Sequence, residues 1–281
     1  MRNLALLLFL SLILLPCPAG AQAGSPDPDA PRPLDAHDTV FMEDMTWMEV
    51  RDALRSGVTI AILATGGVEQ NGPYLATGKH NVILRATNEA IARKLGNALV
   101  APIVPFVPEG GLDPPTGHMR YSGTISVREE TFRELLRDVA QSLKAHGFET
   151  VILLGDSGGN QEGMAAVAEE LSGAWAGSGT EVHYVPEYYD NPRWNAWLAE
   201  RGVEEVDEGL HDDFRHSAIM ALVDPTSIRM EERMRAGLFS INGVPLAPLE
   251  KTLALARGLV DYQAEVTVGA IRKALEGGSR R

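Results

Sequence analysis

Cysteine is nearly missing from this sequence. There is one, Cys17, in 281 residues, and it falls in the leader described below. The rest of the chain therefore has no disulfide framework, no thiolate metal site and no thiol nucleophile. A bound metal would have to rest on His, Asp and Glu. Positive charge is also scarce: 25 Lys and Arg stand against 38 Asp and Glu, for a net charge of -13 and no basic cluster. Such a balance argues against nucleic acid as a partner. Beyond Leu15 no apolar run approaches the roughly 20 residues that a membrane helix needs, so no membrane partner is expected there. Aromatic residues make up only 6%. Trp175, Trp194 and Trp197 read as core or subunit-contact residues, not as a substrate box. No internal repeat is visible.

What is present begins with Met1-Arg2-Asn3, an apolar stretch from Leu4 to Leu15, and Pro16-Cys17-Pro18-Ala19-Gly20-Ala21. A positive end, a short apolar core and a small-x-small site describe a secretory signal peptide over residues 1–21, with cleavage after Ala21 or Ala23. A periplasmic or secreted location is expected. Pro16 makes Cys17 a poor lipid-attachment site. Residues 22–40, rich in Ala, Pro, Asp and Gly without apolar periodicity, read as a flexible leader. Residues 41–276 are one domain by length, and residues 277–281 a polar tail.

Within the domain, β-branched runs alternate with helical patterns. Strands are expected at Val58–Leu63, Leu99–Phe106, Thr150–Leu154 and Glu181–Val185. Helices are expected at Val82–Leu95, Glu129–His146 and Gln161–Leu171, with a long C-terminal helix from Pro248 to Leu275 interrupted near Gly258. Strands separated by helices of this length form βαβ units with a mostly parallel sheet covered on both sides, an α/β fold. Ligands gather at the carboxyl ends of such strands. The loops after the first and third strands are therefore where chemistry is sought.

The first of these loops reads Ala64-Thr65-Gly66-Gly67-Val68-Glu69-Gln70-Asn71-Gly72-Pro73-Tyr74-Leu75-Ala76-Thr77-Gly78-Lys79-His80. It resembles the creatininase-family loop Gly-Ser-x-Glu-Gln-His-Gly-Pro-His-Leu-Pro-Leu-Gly-Thr-Asp, without a gap from Glu69 to His80. His118-Met119-Arg120-Tyr121-Ser122-Gly123-Thr124-Ile125-Ser126 is similar to the family's His-x-x-Phe-Pro-Gly-Thr-Ile-Ser. Leu154-Gly155-Asp156-Ser157-Gly158-Gly159-Asn160 falls where the family has Asn-Gly-His-Gly-Gly-Asn, and His211 to Pro225 resembles its His-Ala-Gly-x-x-Glu-Thr-Ser segment. Four blocks in order over most of the chain make the match specific.

The resemblance implies a three-layer creatininase-like α/β fold, often a homo-hexamer. It also implies a metal-dependent hydrolase of cyclic or linear amide C–N bonds in small molecules, commonly with two zinc or manganese ions. The ligand positions depart from the family pattern. Glu69 keeps a family ligand, Asn71 stands for a ligand histidine, His80 for the bridging aspartate, Ser157 for a histidine and His216 for a glutamate. Asp212-Asp213 replace Ala-Gly, and His211 matches a histidine near the reacting group. A neutral imidazole cannot bridge two cations as a carboxylate does. One divalent ion is therefore expected, on Glu69 and His80 with Asp156 or His216, and the bridged pair is not. His211 is expected near the leaving group, with Asn71, His118, Asn160 and Asp212 as substrate contacts. Creatinine itself is not the expected substrate, and His146 and His183 read as structural.

Two other readings compete. Ser157 at a strand-to-helix turn is placed like an esterase nucleophile, and His211 or His216 with Asp212 or Asp213 would complete a triad. Alternatively the altered site belongs to a non-catalytic relative that binds a small ligand.

Overall fold

The computed structural model describes residues 27–278. The expected signal peptide, its cleavage sites and Cys17 lie outside them, as does most of the polar tail. Residues 27–35 belong to a separate small unit. Its described residues hold a turn closed by the Ala30 N–H on the Asp27 carbonyl at 3.1 Å, and among them there is no helix or strand. The main unit starts at Ala36.

Its first helix, α1 (Trp47–Arg55), opens on a capping box in which Thr46 and Glu49 satisfy each other's backbone N–H groups. Four strands follow along the chain: β1 (Ile60–Thr65), β2 (Ala98–Val100), β3 (Thr150–Gly155) and β4 (Glu181–Tyr184). They form one sheet in the order β2-β1-β3-β4, every pairing parallel, with Ile60 opposite both Ala98 and Thr150. All six residues of β1 and of β3 are buried, as expected of central parallel strands with both faces covered.

The covering helices are α2 (Lys79–Leu95), α3 (Glu129–Ala145), α4 (Gln161–Ala174) and α8 (Leu249–Gly278). Successive strand side chains point to opposite faces, and the two cores divide accordingly. Ala61, Leu63, Val151 and Leu153 pack with Phe132, Leu136 and Ala140 of α3 and with Met164 and Val167 of α4. Ile60, Ile62, Ile152 and Leu154 pack with Leu84 and Ile91 of α2 and with Ala264, Val268 and Ile271 of α8. The result is the expected three-layer α/β fold. Each fully buried aliphatic side chain contributes about 1.5–3 kcal/mol relative to exposure.

A third core lies among helices. It joins α2 and α8 to α5 (Asn191–Ala199) and α6 (Phe214–Val223) through Ile83, Trp194, Leu198, Phe214, Ile219 and Leu259. The chain then passes through α7 (Met230–Ala236) and a two-stranded antiparallel hairpin, β5 (Ser240–Ile241) and β6 (Val244–Pro245). This third core brings the start of α6 to the carboxyl ends of β1 and β3.

Two elements differ from expectation. The strand expected at Leu99–Phe106 ends at Val100, because Pro102 and Pro105 lack the N–H that a ladder requires. Single bridges such as Thr65 to Val104 continue it. The C-terminal helix is unbroken at Gly258. A Cβ there would lie 3.0 Å from the Trp197 ring, so the glycine serves close packing and not a break. Trp175 and Trp194 are core residues, and Trp197 packs half-buried against the third core.

Candidate active site

The loop after β1 is fixed before any functional group is considered. Asn81 on α2 exchanges hydrogen bonds with the loop, donating from Nδ2 to the Gly67 carbonyl at 3.0 Å and accepting the Gly67 N–H at 3.2 Å. A Cβ on Gly66 would lie 2.0 Å from Asn81 Oδ1, which only glycine avoids. The Glu69 N–H donates to the Thr77 carbonyl at 3.0 Å, and the Ile125 N–H to the Val68 carbonyl at 2.9 Å. The Glu69 side chain is thereby pinned, 2% exposed, beyond the end of β1.

From Glu69 a line of charged and polar groups runs inward. His80 Nε2 lies 2.8 Å from Glu69 Oε1, and His80 Nδ1 lies 2.8 Å from Asp156 Oδ2. His80 thus lies between two carboxylates, one at each ring nitrogen. Arg215 Nη2 donates to Asp156 Oδ1 at 3.4 Å and to His216 Nε2 at 2.6 Å. His216 Nδ1 is 2.7 Å from Asp213 Oδ1, whose carboxylate also caps α6 by accepting the His216 N–H. Outward from Glu69, Lys79 Nζ is 3.4 Å from Oε1, His118 Nε2 3.3 Å from Oε2, and His211 Nδ1 3.9 Å from Oε1. His211 Nδ1 also meets the Gln70 carbonyl at 3.0 Å.

Burial and partners set the charges. Burial pushes the Glu69 carboxyl up, but the hydrogen bond and charge of His80, with Lys79, outweigh it and hold the group well below the carboxylate range. Asp156 is likewise raised by burial and lowered further by Arg215 and His80, to about 2. Burial takes His216 down to about 4, so its Nε2 is a neutral acceptor for Arg215. Burial lowers His118 as well. Two acids go the other way. Burial, then the charge of Glu69, lifts Glu109 to about 9, and burial lifts Asp212 to about 7 against the pull of Arg233.

Glu109 thus stays protonated in the folded chain while its unfolded counterpart ionises. Its contribution to stability is complete at low pH and fades as pH climbs from its ordinary 4.5 to about 9. Glu109→Gln is neutral at every pH, so its stability relative to wild type should rise steadily across that window in urea melts. A constant difference would show that Glu109 is ionised when folded.

The structure gathers most residues singled out from sequence around one cavity of about 850 Å³, lined by Glu69, His80, His118, Asp156, Ser157, His211, Asp212 and His216. Asp212 turns in a buried carboxylate with no hydrogen-bond partner on either oxygen among the described residues. Asn71 and Asn160 do not line the cavity. Asn71 Nδ2 donates to the Glu69 carbonyl at 2.9 Å, and Asn160 Nδ2 to the Gly66 carbonyl at 2.8 Å and Thr65 Oγ1 at 3.0 Å. Both amides brace the loops that carry the site. The Ser157 hydroxyl hydrogen-bonds to neither His211 nor His216 among the described residues, which engage Gln70 and Arg215 instead. His146 and His183 lie elsewhere. Sequence reasoning missed Lys79, Glu109, Asp213 as a cap and Arg215. Only Lys79 and Arg215 carried a signal, each adjoining a singled-out histidine.

Zinc and manganese fit the donor chemistry, which is imidazole and carboxylate throughout. Two trios of donor atoms lie within 4.8 Å of one another, Glu69 with His118 and His211, and His80 with Asp156 and His216. A larger groove, about 1140 Å³, runs beside β4 and the end of α8. Neither trio borders it.

The layout defines an α/β protein with a buried His and carboxylate site at the carboxyl ends of a parallel sheet. The chain belongs to the creatininase family, whose sequence model, described as creatinine amidohydrolase, matches residues 43–268. A 3-dehydro-scyllo-inosose hydrolase of Thermotoga maritima is 29% identical over 129 residues, 46% of this chain and 39% of that protein. A creatinine amidohydrolase of Pseudomonas putida is 24% identical over 116 residues, 41% of this chain and 44% of that protein. The chain thus matches less than half the length of these curated relatives. Among solved structures, a creatininase superposes with a TM-score of 0.57 at 20% identity, covering 86% of this chain and 98% of that one. A manganese creatininase gives 0.56 at 19% identity, covering 85% and 98%.

Proposed function

We propose that the protein is an exported hydrolase that cleaves an amide C–N bond in a small molecule and depends on one divalent ion, zinc or manganese. Family membership supports the reaction class. The observation that carries the reading is Glu69, an ionised carboxylate ringed by His80, His118, His211 and Lys79 in the 850 Å³ cavity. A divalent ion bound there supplies Lewis acidity toward a carbonyl and a lowered pKa for water.

The chain's own groups do the rest. Arg215 braces Asp156, Asp156 holds His80, and His80 orients Glu69, as outer partners orient a ligand in metal sites. Glu109, protonated beside Glu69, holds a proton that a leaving nitrogen requires. Asp212, buried and unpartnered, offers a carboxylate to a polar or cationic end of the substrate. Assembly into a homo-oligomer belongs to the same proposal.

The test is turnover of a panel of small linear and cyclic amides by protein loaded with zinc or manganese, before and after chelation. Turnover should vanish on chelation and return with the ion. Turnover that survives chelation and is blocked by a serine-reactive phosphonate would replace this reading with the Ser157 esterase. Ligand binding without turnover would favour the non-catalytic relative.

A further inference from the structure

The two donor trios are not equivalent. In the inner one both nitrogens of His80, both oxygens of Asp156 and Nε2 of His216 are engaged, and a cation already stands in its midst. His80 directs one nitrogen to Asp156 and the other to Glu69, both at 2.8 Å. Asp156 receives Arg215 on its remaining oxygen. His216 Nε2, which a metal would need as a lone pair, accepts from Arg215 at 2.6 Å. A guanidinium does not give up its proton in a protein, so this lone pair is blocked as long as Arg215 stays. Arg215 is buried at 2% exposure, on a helix that packs into the third hydrophobic core. A divalent ion among these three groups would lie against a fixed positive charge in a medium that screens weakly.

The outer trio is built differently. His80 and Lys79 both address Glu69 Oε1, whereas Oε2 faces His118 Nε2 at 3.3 Å. The His118 and His211 rings lie 4.4 Å apart between centroids and tilted by 38°, side by side over the carboxylate. Both are open to the cavity, with side chains 30% and 43% exposed. His211 is held there at a cost. Its φ is 57°, the left-handed region that a residue with a side chain rarely enters. The preceding carbonyl, of Leu210, lies 2.6 Å from where a Cβ on Gly72 would be, so the segment packs directly on the Glu69 loop. The Gln70 carbonyl lies 3.0 Å from His211 Nδ1, the kind of partner that fixes the ring of a ligating histidine, and this makes Nε2 the nitrogen that would ligate.

Resting on the metal-dependent reading above, we propose that the single ion binds the outer trio, Glu69, His118 and His211, as a two-histidine, one-carboxylate site open to the cavity. Arg215 supplies within the inner layer the positive charge that a second ion would bring. Only Glu69 of the three occupies a ligand position in the family frame. His211 then acts as a ligand and not in proton transfer, and the ion is displaced one layer toward solvent. Three protein ligands with open positions are the composition of catalytic zinc sites.

The experiment measures zinc affinity by competition with a chromophoric chelator, on the purified full chain and on His118→Ala, His211→Ala and His216→Ala. Cobalt substitution gives a second readout, because its visible spectrum reports the ligand set. Wild type should hold about one zinc per chain, and each outer variant should bind at least about 100-fold more weakly, with a changed cobalt spectrum. His216→Ala should keep its affinity within about tenfold and leave the spectrum unchanged. The outer side chains are partly exposed, so those variants should melt like wild type. If His216→Ala loses the ion while the outer variants keep it, the inner trio is the site: this inference falls and the metal-dependent reading stands. If wild type binds no zinc or manganese, and turnover ignores chelation, both fall.

Discussion

On the metal-dependent amidohydrolase reading proposed above, Glu69→Gln is expected to leave a folded protein that no longer retains a divalent ion and turns over an amide substrate at least about 100-fold more slowly, beyond the range typical of outer partners of a metal site. The substitution keeps the shape of the side chain and removes its charge. That charge is the one anionic group shared by His80, Lys79, His118 and His211, whose nitrogens approach it within 2.8 to 3.9 Å. An amide still accepts from His80 through its oxygen, so the loop should hold. It cannot offset the neighbouring Lys79 ammonium, and a weakly basic amide oxygen is a poor ligand for zinc. Metal analysis and kcat/KM on the same preparation check the result together. Retention of both the ion and the rate would show that Glu69 only anchors its loop.

The position of Glu69 was legible in sequence because the Glu-Gln-x-Gly-Pro frame sits directly after a fully apolar strand, and parallel sheets expose such loops at their carboxyl ends. The layers were legible for the same reason: continuous buried strands alternate with helices whose apolar faces repeat at helical spacing. What could not be read is how the charges are compensated. Arg215 sits in a helical stretch that reads as apolar, Phe214 to Val223, and nothing local announces that its guanidinium meets Asp156 from 59 positions earlier. Glu109 follows Pro108 in a glycine-rich loop and reads as a solvated carboxylate. Its proximity to Glu69 depends on the bridge between Val107 and Ser126, a tertiary contact. Asn71 and Asn160 misled in the opposite sense. They occupy motif positions, yet their amides satisfy backbone carbonyls, because a loop drawn tightly over a strand end leaves carbonyls that need donors.

Arg215→Met is expected to destabilise the fold by about 3–5 kcal/mol, the usual cost of leaving one member of a buried pair without its partner. Asp156 is wholly buried, and without the guanidinium its remaining ion-pair partner among the described residues is His80, itself shared with Glu69. His216 also loses the N–H directed at its Nε2. For a domain of this size the loss corresponds to a melting temperature lower by about 6–20 °C. Arg137→Met is the matched surface control. Its bidentate pair with Glu170 is shorter, at 2.7 Å, but both side chains are partly exposed, and less than about 1 kcal/mol should be lost. Arg215 also buries Nε and Nη1 without partners, a poor arrangement if stability were its purpose. Removing both charges in Arg215→Met with Asp156→Leu should therefore recover much of the lost stability, since a buried pair replaced by apolar groups is often neutral or better. Recovery of the melting temperature without recovery of metal affinity or turnover would show that the pair is kept for the charge and orientation it gives the site. An Arg215→Met protein as stable as wild type would instead mean that Asp156 gives up its charge once the guanidinium is gone.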